Sequence, residues 1–151
     1  MICRMFLVLF LALAASAASA ADVVVSPTVL VADPNRRAEA ISIVNRGKAP
    51  VAYQVEVLRW SLVDGKDVLA PTREVVATPA RLEIPADTTR VLRVMRLQGQ
   101  DAAYYRIRLR ELPNPEMKGP VQVLVQMLVP LAFERAGEAR VAARRVPGGF
   151  V

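Results

Sequence analysis

The chain has 151 residues, a length that fits one domain, and 20 Lys plus Arg against 14 Asp plus Glu give it a net charge of +6. It has no histidine and one cysteine, Cys3. These counts exclude a Ser-His-Asp or Cys-His nucleophile and a zinc site made of His and Cys.

The first twenty residues have the pattern of a removable secretory signal. Arg4 precedes an apolar run over residues 5–15, and Ala18, Ser19 and Ala20 form a small-residue cleavage site. The run is too short for a stable membrane anchor, so we expect no stable membrane insertion. We expect a protein exported by a cleavable signal peptide, which does not meet nucleic acid and has no thiol in its mature form.

The first half of the mature chain reads as short strands separated by turns. Pro27 interrupts an extended run over residues 22–31, which predicts an edge or a strand that bends and changes sheet. A strand is predicted over residues 38–44, and residues 51–60 alternate with apolar side chains on one face. The Asp-Gly pair at 64–65 predicts the turn of a β-hairpin.

The second half continues in the same way. We predict strands or short extended pieces at residues 68–71, 73–78, 81–84, 88–96 and 104–111. In the last of these, apolar residues alternate with arginines, which places Tyr105, Ile107 and Leu109 inward and Arg106, Arg108 and Arg110 outward.

The run over residues 119–133 is the longest alternating stretch. One face carries Val121, Val123, Val125 and Met127, and the half-polar face carries Gln122, Leu124, Gln126 and Leu128. An ordinary core strand would fit this pattern. An edge strand that pairs with another protein would also fit, because a long apolar edge without a partner is an aggregation hazard.

These elements predict an all-β fold, a single-domain β-sandwich of about seven strands. The domain spans residues 21–135. Residues 136–151 are basic and contain Pro-Gly-Gly, which is typical of a linker, a truncated linker or a frayed tail.

Several short motifs follow one another in a distinctive order: Ser26-Pro27, ISIVNRG at 41–47, VLRW at 57–60, ATP at 77–79, IPA at 84–86, RVLR at 90–93 and YRIRLRELP at 105–113. With the alternating strand, this order resembles the N-terminal domain of the periplasmic chaperones of the chaperone–usher pathway. The resemblance covers residues 23–133 and is closer to the archaic or alternative branch. It implies an immunoglobulin-like sandwich in the periplasm that works without a cofactor and is not an enzyme.

In that family the last strand of the domain lends alternating apolar residues to a pilin that lacks one strand. The resemblance places these residues at Val121, Val123, Val125 and Met127. It implies pilin or fimbrial subunits and an outer-membrane usher as partners. The alternative is an Ig-like surface or adhesive domain that recognises acidic partners through an Arg-rich face.

Two features depart from the family pattern. The family anchors the pilin carboxylate with two basic residues, but the matching positions here are Thr28 and Pro130. We expect Arg106, Arg108 and Arg110 to substitute, with Arg90, Arg93 and Arg96 as second candidates and a solvated basic face as the plain alternative. The family also carries a second sandwich domain, whereas only residues 136–151 follow Arg135, which suggests either a truncated or single-domain relative or a gene that was cut short.

The remaining singled-out residues are expected to be structural. Trp60, Tyr53 and Phe133 are predicted to pack in the core or between the sheets. The carboxylates Asp64, Asp67 and Glu74 are read as surface charge, with no metal or catalytic role. The chain shows neither a paired-acid constellation nor a phosphate-binding Gly-rich loop.

Overall fold

The computed structural model of the protein describes residues 22–33, 35–99, 101–116 and 121–134. These residues contain ten strands: β1 (Val23–Ser26), β2 (Leu30–Ala32), β3 (Ala38–Asn45), β4 (Val51–Val63), β5 (Lys66–Pro71), β6 (Val75–Thr78), β7 (Arg81–Ile84), β8 (Thr88–Arg96), β9 (Ala103–Glu111) and β10 (Gln126–Phe133). The predicted signal and the predicted tail lie outside the described residues. Within those ranges, no helix is long and apolar enough to cross a membrane.

The strands form two sheets. One has the order β1-β3-β8-β6, and the other has the order β2-β10-β9-β4-β5 with β7 also paired to β4. The all-β sandwich predicted from the sequence is confirmed. The described chain has ten strand segments instead of about seven, because prolines and short turns divide the predicted extended runs.

The first extended run changes sheet at Pro27. β1 pairs with β3 in one sheet, where Val25 lies opposite Ile43. β2 runs parallel to β10 in the other sheet, where Leu30 lies opposite Leu131. Proline has no N–H to give to a ladder, so the pairing ends there and the chain crosses between the sheets, as the sequence predicted.

The core fills the space between the two sheets. Its largest fully buried side chains are Tyr53, Tyr105, Phe133, Ile41, Ile43, Ile84, Leu92, Ile107, Leu109 and Leu131. They alternate along their strands with more exposed residues, as the period of two predicted. The burial of Tyr53 and Phe133 also agrees with the sequence prediction.

A buried asparagine fixes the turn that follows β3. Asn45 is fully buried, and its Nδ2 donates to the carbonyl oxygens of Ala49 at 2.8 Å, Ile84 at 3.2 Å and Pro85 at 3.2 Å. Its Oδ1 accepts the backbone N–H of Gly47 at 2.9 Å. One side chain thereby ties the β3–β4 connection to the end of β7.

The β4–β5 hairpin extends past the sandwich. Asp64 and Gly65 have φ values of 50° and 74°, which is the left-handed region that a two-residue type I′ turn requires. The prediction that Trp60 packs in the core is wrong, because its part of β4 belongs to this projecting hairpin. Trp60 is half-buried and its Nε1–H donates to Asp67 at 3.1 Å.

Candidate functional site

The last strand begins later than the sequence predicted. β10 pairs with β9 from Gln126, opposite Arg110, to Phe133, opposite Ala103. Residues 121–125 are described but lie outside any strand, because β9 ends at Glu111 and its partner ladder ends with it. The first two predicted residues, 119 and 120, lie outside the described ranges.

One alternating face of this segment is divided between core and solvent. Val129, Leu131 and Phe133 are buried in the sandwich. Met127 is partly buried and packs against the same core. Farther towards the N-terminus, the exposed fractions are 43% for Val125, 83% for Val123 and 75% for Val121. Three of the four predicted donor residues therefore lie at the surface.

The backbone of the segment has an open edge. β2 pairs with β10 only at Leu131–Phe133, so no described strand lies beside residues 126–130 on that side. In the part of the chain that the structure describes, the backbone groups of Val121, Val123 and Leu124 make no hydrogen bond. We call residues 121–130, with this edge, the open segment.

The other side of the open segment contacts the chain that follows β9. The Glu111 N–H donates to the Val125 carbonyl at 2.9 Å, and the Val125 N–H donates to Glu111 Oε2 at 3.1 Å. The Gln122 side chain bonds to both backbone groups of Asn114. These contacts hold the segment at its end as well as along β10.

The three arginines predicted as a carboxylate anchor lie on the outer face of β9 and have partners within the chain. Arg108 forms an ion pair with Glu56, and Arg110 Nη2 lies 3.9 Å from the other oxygen of that carboxylate. The Arg106 guanidinium lies 4.7 Å from the ring centroid of Trp60. The Arg110 side chain is 56% exposed. The backbone of Arg110 pairs with that of Gln126, at the start of β10.

The second candidates for the anchor are separated from β10. They belong to β8, which lies in the opposite sheet, and Arg90 and Arg93 are exposed there. Arg96 is buried, its guanidinium is 4.7 Å from the Phe133 ring centroid, and Nη2 donates to the Asp101 carbonyl at 2.5 Å. Arg96 therefore closes one end of the core.

Glu74 has a structural role that sequence reasoning missed. It accepts the Tyr105 hydroxyl at 2.7 Å and forms an ion pair with Arg59. The Tyr105 hydrogen bond, followed by the Arg59 charge, lowers the pKa of Glu74. Burial raises the pKa of Tyr105 to about 12. These residues are far apart in the sequence, so no local pattern could have connected them.

Comparisons with known proteins agree with the fold described above. Residues 22–134 match the family described as pili and flagellar-assembly chaperone, PapD N-terminal domain. No curated protein matches the sequence. The fold is similar to several solved structures, which are 16–24% identical.

One such structure is the CsuC–CsuE chaperone–tip adhesion subunit pre-assembly complex from archaic chaperone-usher Csu pili of Acinetobacter baumannii, at 24% identity and a TM-score of 0.65, covering 75% of this chain and 51% of that chain. The Salmonella enterica SafA pilin–SafB chaperone complex is 16% identical with a TM-score of 0.61, and the match covers 80% of this chain and 58% of that chain. The Escherichia coli chaperone DraB is 22% identical with a TM-score of 0.59, and the match covers 77% of this chain and 56% of that chain. The chain thus spans between 51% and 58% of the length of these structures.

Proposed function

The chain belongs to the PapD N-terminal domain family of pili and flagellar-assembly chaperones, and from this premise we propose that it binds and stabilises pilin or fimbrial subunits by lending them a β-strand. Chaperones of this family are periplasmic, and they are not enzymes. Delivery of the bound subunit to an outer-membrane usher is part of the proposal.

The exposed apolar row of the open segment carries this proposal. Val121 and Val123 are 75% and 83% exposed, although they continue the alternating apolar face that is buried farther along the chain, in β10. Burying such a side chain in the groove of an incomplete subunit contributes about 1.5–3 kcal/mol. The cost of association offsets part of this gain, so the row as a whole determines the affinity.

The open edge fits the same function. No described strand occupies the edge beside residues 126–130, so a strand of a subunit could pair there. Pairing through the backbone fixes the register, while apolar side chains at alternate positions fill pockets and give specificity. A bound subunit would also explain why an apolar edge that favours aggregation is tolerated.

The solved complexes support this class of partner. In one similar structure the chaperone is bound to a tip adhesion subunit, and in another to a pilin. The adhesive alternative lacks comparable support, because Arg106, Arg108 and Arg110 all contact side chains of their own chain.

The anchor for the subunit carboxylate is proposed on β9. Arg106, Arg108 and Arg110 stay our candidates because β9 is the neighbour of β10. Glu56 competes for Arg108 and Arg110, so an incoming carboxylate would have to replace that contact. Arg110 is the most available of the ion-paired arginines on this strand, since its side chain is 56% exposed.

Co-purification with a subunit tests the function. We expect Val123→Asp to abolish capture of a pilin encoded by the same organism, because a carboxylate cannot enter an apolar groove without a partner. The matched control is Val91→Asp, at a valine that is 51% exposed on the opposite sheet. Both variants should unfold at the wild-type urea midpoint. Capture by the Val123→Asp protein at the wild-type level would rule out strand donation.

A further inference from the structure

The register of the β9–β10 ladder continues past its last backbone pair. That ladder ends where Gln126 lies opposite Arg110. Continued at the same register, it would place Val125 opposite Glu111 and Gln122 opposite Asn114. The observed contacts join these same residues, although the two chains no longer form a regular sheet.

One of these contacts joins two backbone groups, the Glu111 N–H and the Val125 carbonyl, and in the others a side chain replaces a backbone group. The Val125 N–H donates to the Glu111 carboxylate at 3.1 Å. At the next bonded position, Gln122 Oε1 accepts the Asn114 N–H at 3.1 Å, and Gln122 Nε2 donates to the Asn114 carbonyl at 2.8 Å. A single carboxamide thus makes both bonds that the backbone of an opposing residue would make in a ladder.

These side-chain contacts leave the open segment free to bind a partner strand. The preserved register of Val125 and Gln122 is that of an extended chain, in which neighbouring side chains lie on opposite faces, and this alternation separates Gln122 from the face of Val121 and Val123. Among the described residues, the backbone groups of Val121, Val123 and Leu124 stay without hydrogen bonds. The segment is therefore held by a side chain that uses neither its apolar row nor those backbone groups.

We propose that the Gln122 carboxamide is a positioning group that holds residues 121–125 in register with β9 and so prepares them for a subunit. This inference rests on the proposed function. A segment ordered before binding pays less conformational entropy when it binds. The apparent affinity for a subunit is proportional to the fraction of molecules in the binding-competent arrangement, so the contact can raise the affinity only by raising that fraction.

The chain offers a matched control at Gln126. It lies on the same half-polar face, it is exposed, and its side chain makes no hydrogen bond to any described residue. Methionine is similar in length to glutamine and has no donor. Gln122→Met and Gln126→Met are therefore the same chemical change, but only Gln122→Met removes the contact with Asn114.

Hydrogen exchange tests the contact without a subunit. In Gln122→Met, we expect the Asn114 amide to exchange about fivefold faster than in the wild type, as for the loss of one typical hydrogen bond. Gln126→Met should leave that rate unchanged. Unchanged Asn114 exchange in Gln122→Met would overturn the proposal at its first step.

The capture rate tests the positioning role. The probe is a pilin encoded by the same organism, and the readout is its association rate with the full chain. We expect Gln122→Met to slow association about fivefold and Gln126→Met to leave it unchanged. Faster Asn114 exchange with wild-type association would show a merely structural contact and overturn the proposal. If the wild type captures no pilin, the proposed function fails, and the inference that rests on it fails too.

Discussion

The Tyr105 hydroxyl donates a 2.7 Å hydrogen bond to Glu74, and this contact joins the two sheets of the sandwich. Tyr105 belongs to β9, and Glu74 directly precedes β6 of the opposite sheet. The Glu74 carbonyl also accepts the Leu97 N–H at 2.7 Å, just beyond β8. Glu74 therefore ties a buried aromatic residue of one sheet to the chain at the end of the other.

This contact predicts how stability changes in acid. The folded-state pKa of Glu74 is lowered, first by the Tyr105 hydrogen bond and then by Arg59. Its contribution is present above the ordinary carboxyl pKa and is lost as the pH falls through the folded-state value. We expect Glu74→Gln to reduce the loss of unfolding free energy between about pH 6 and about pH 3.

Urea unfolding at a series of pH values measures this effect. The charge of Glu74 is removed in the variant, so its stability should fall less steeply with acid than that of the wild type. Tyr105→Phe should have a smaller effect in the same direction, because Arg59 still pairs with the carboxylate. Parallel curves for Glu74→Gln and wild type would contradict the prediction.

Leu92 and Val91 are neighbours on β8 with opposite environments. Leu92 is fully buried, whereas Val91 is 51% exposed. We expect Leu92→Ala to lower the free energy of unfolding by about 2–5 kcal/mol, because it leaves a cavity between the sheets. Val91→Ala should change it by no more than about 0.5 kcal/mol. Equal losses in chemical denaturation would mean that β8 is not packed as described.

Asn45 is expected to be the most sensitive polar residue of the core. Asn45→Ala leaves the carbonyl oxygens of Ala49, Ile84 and Pro85 without their shared donor. The cost should be about 1–3 kcal/mol of unfolding free energy. Asn35→Ala, in an exposed turn, is the control and should cost less than about 0.5 kcal/mol. A thermal or urea midpoint that Asn45→Ala leaves unchanged would refute this role.

Arg110→Ala tests the proposed carboxylate anchor. An exposed ion pair contributes about 0.2–1 kcal/mol, so the variant should weaken pilin capture by up to about fivefold at low salt and less at high salt. Arg81→Ala is a suitable control because Arg81 is also exposed and also pairs with a carboxylate, that of Glu83. Equal capture by both variants at low salt would place the anchor elsewhere.

The sequence predicted best those elements that turn residues delimit. β7 and β8 have the predicted bounds, since Pro79, Pro85 and Asp87 mark both limits of β7 and the start of β8, and the polar residues from Gln98 follow its end. The hairpin at 64–65 was equally clear because both positions require positive φ. In each case the determining interaction is local.

The errors concern interactions between distant residues. The alternation of apolar side chains continues through 121–125, but it carries no information on whether a partner strand continues beside them. Trp60 is a large aromatic residue of the kind that often fills a core, yet its position on a projecting hairpin leaves it half-buried and outside the core. The contacts of Gln122 with Asn114 and of Glu74 with Tyr105 depend on tertiary structure, so no pattern of single residues reveals them.

The parallel pairing of β2 with β10 limits the length of any strand that pairs with this edge. β2 occupies the positions beside Leu131–Phe133, so a guest strand must stop before Leu131. From Val121 to that stop, about ten residues remain, or about 33 Å of extended chain. A guest strand that reached the position beside Leu131 would compete with Leu30 for the same backbone edge, so β2 sets the end of the ladder that a guest can form.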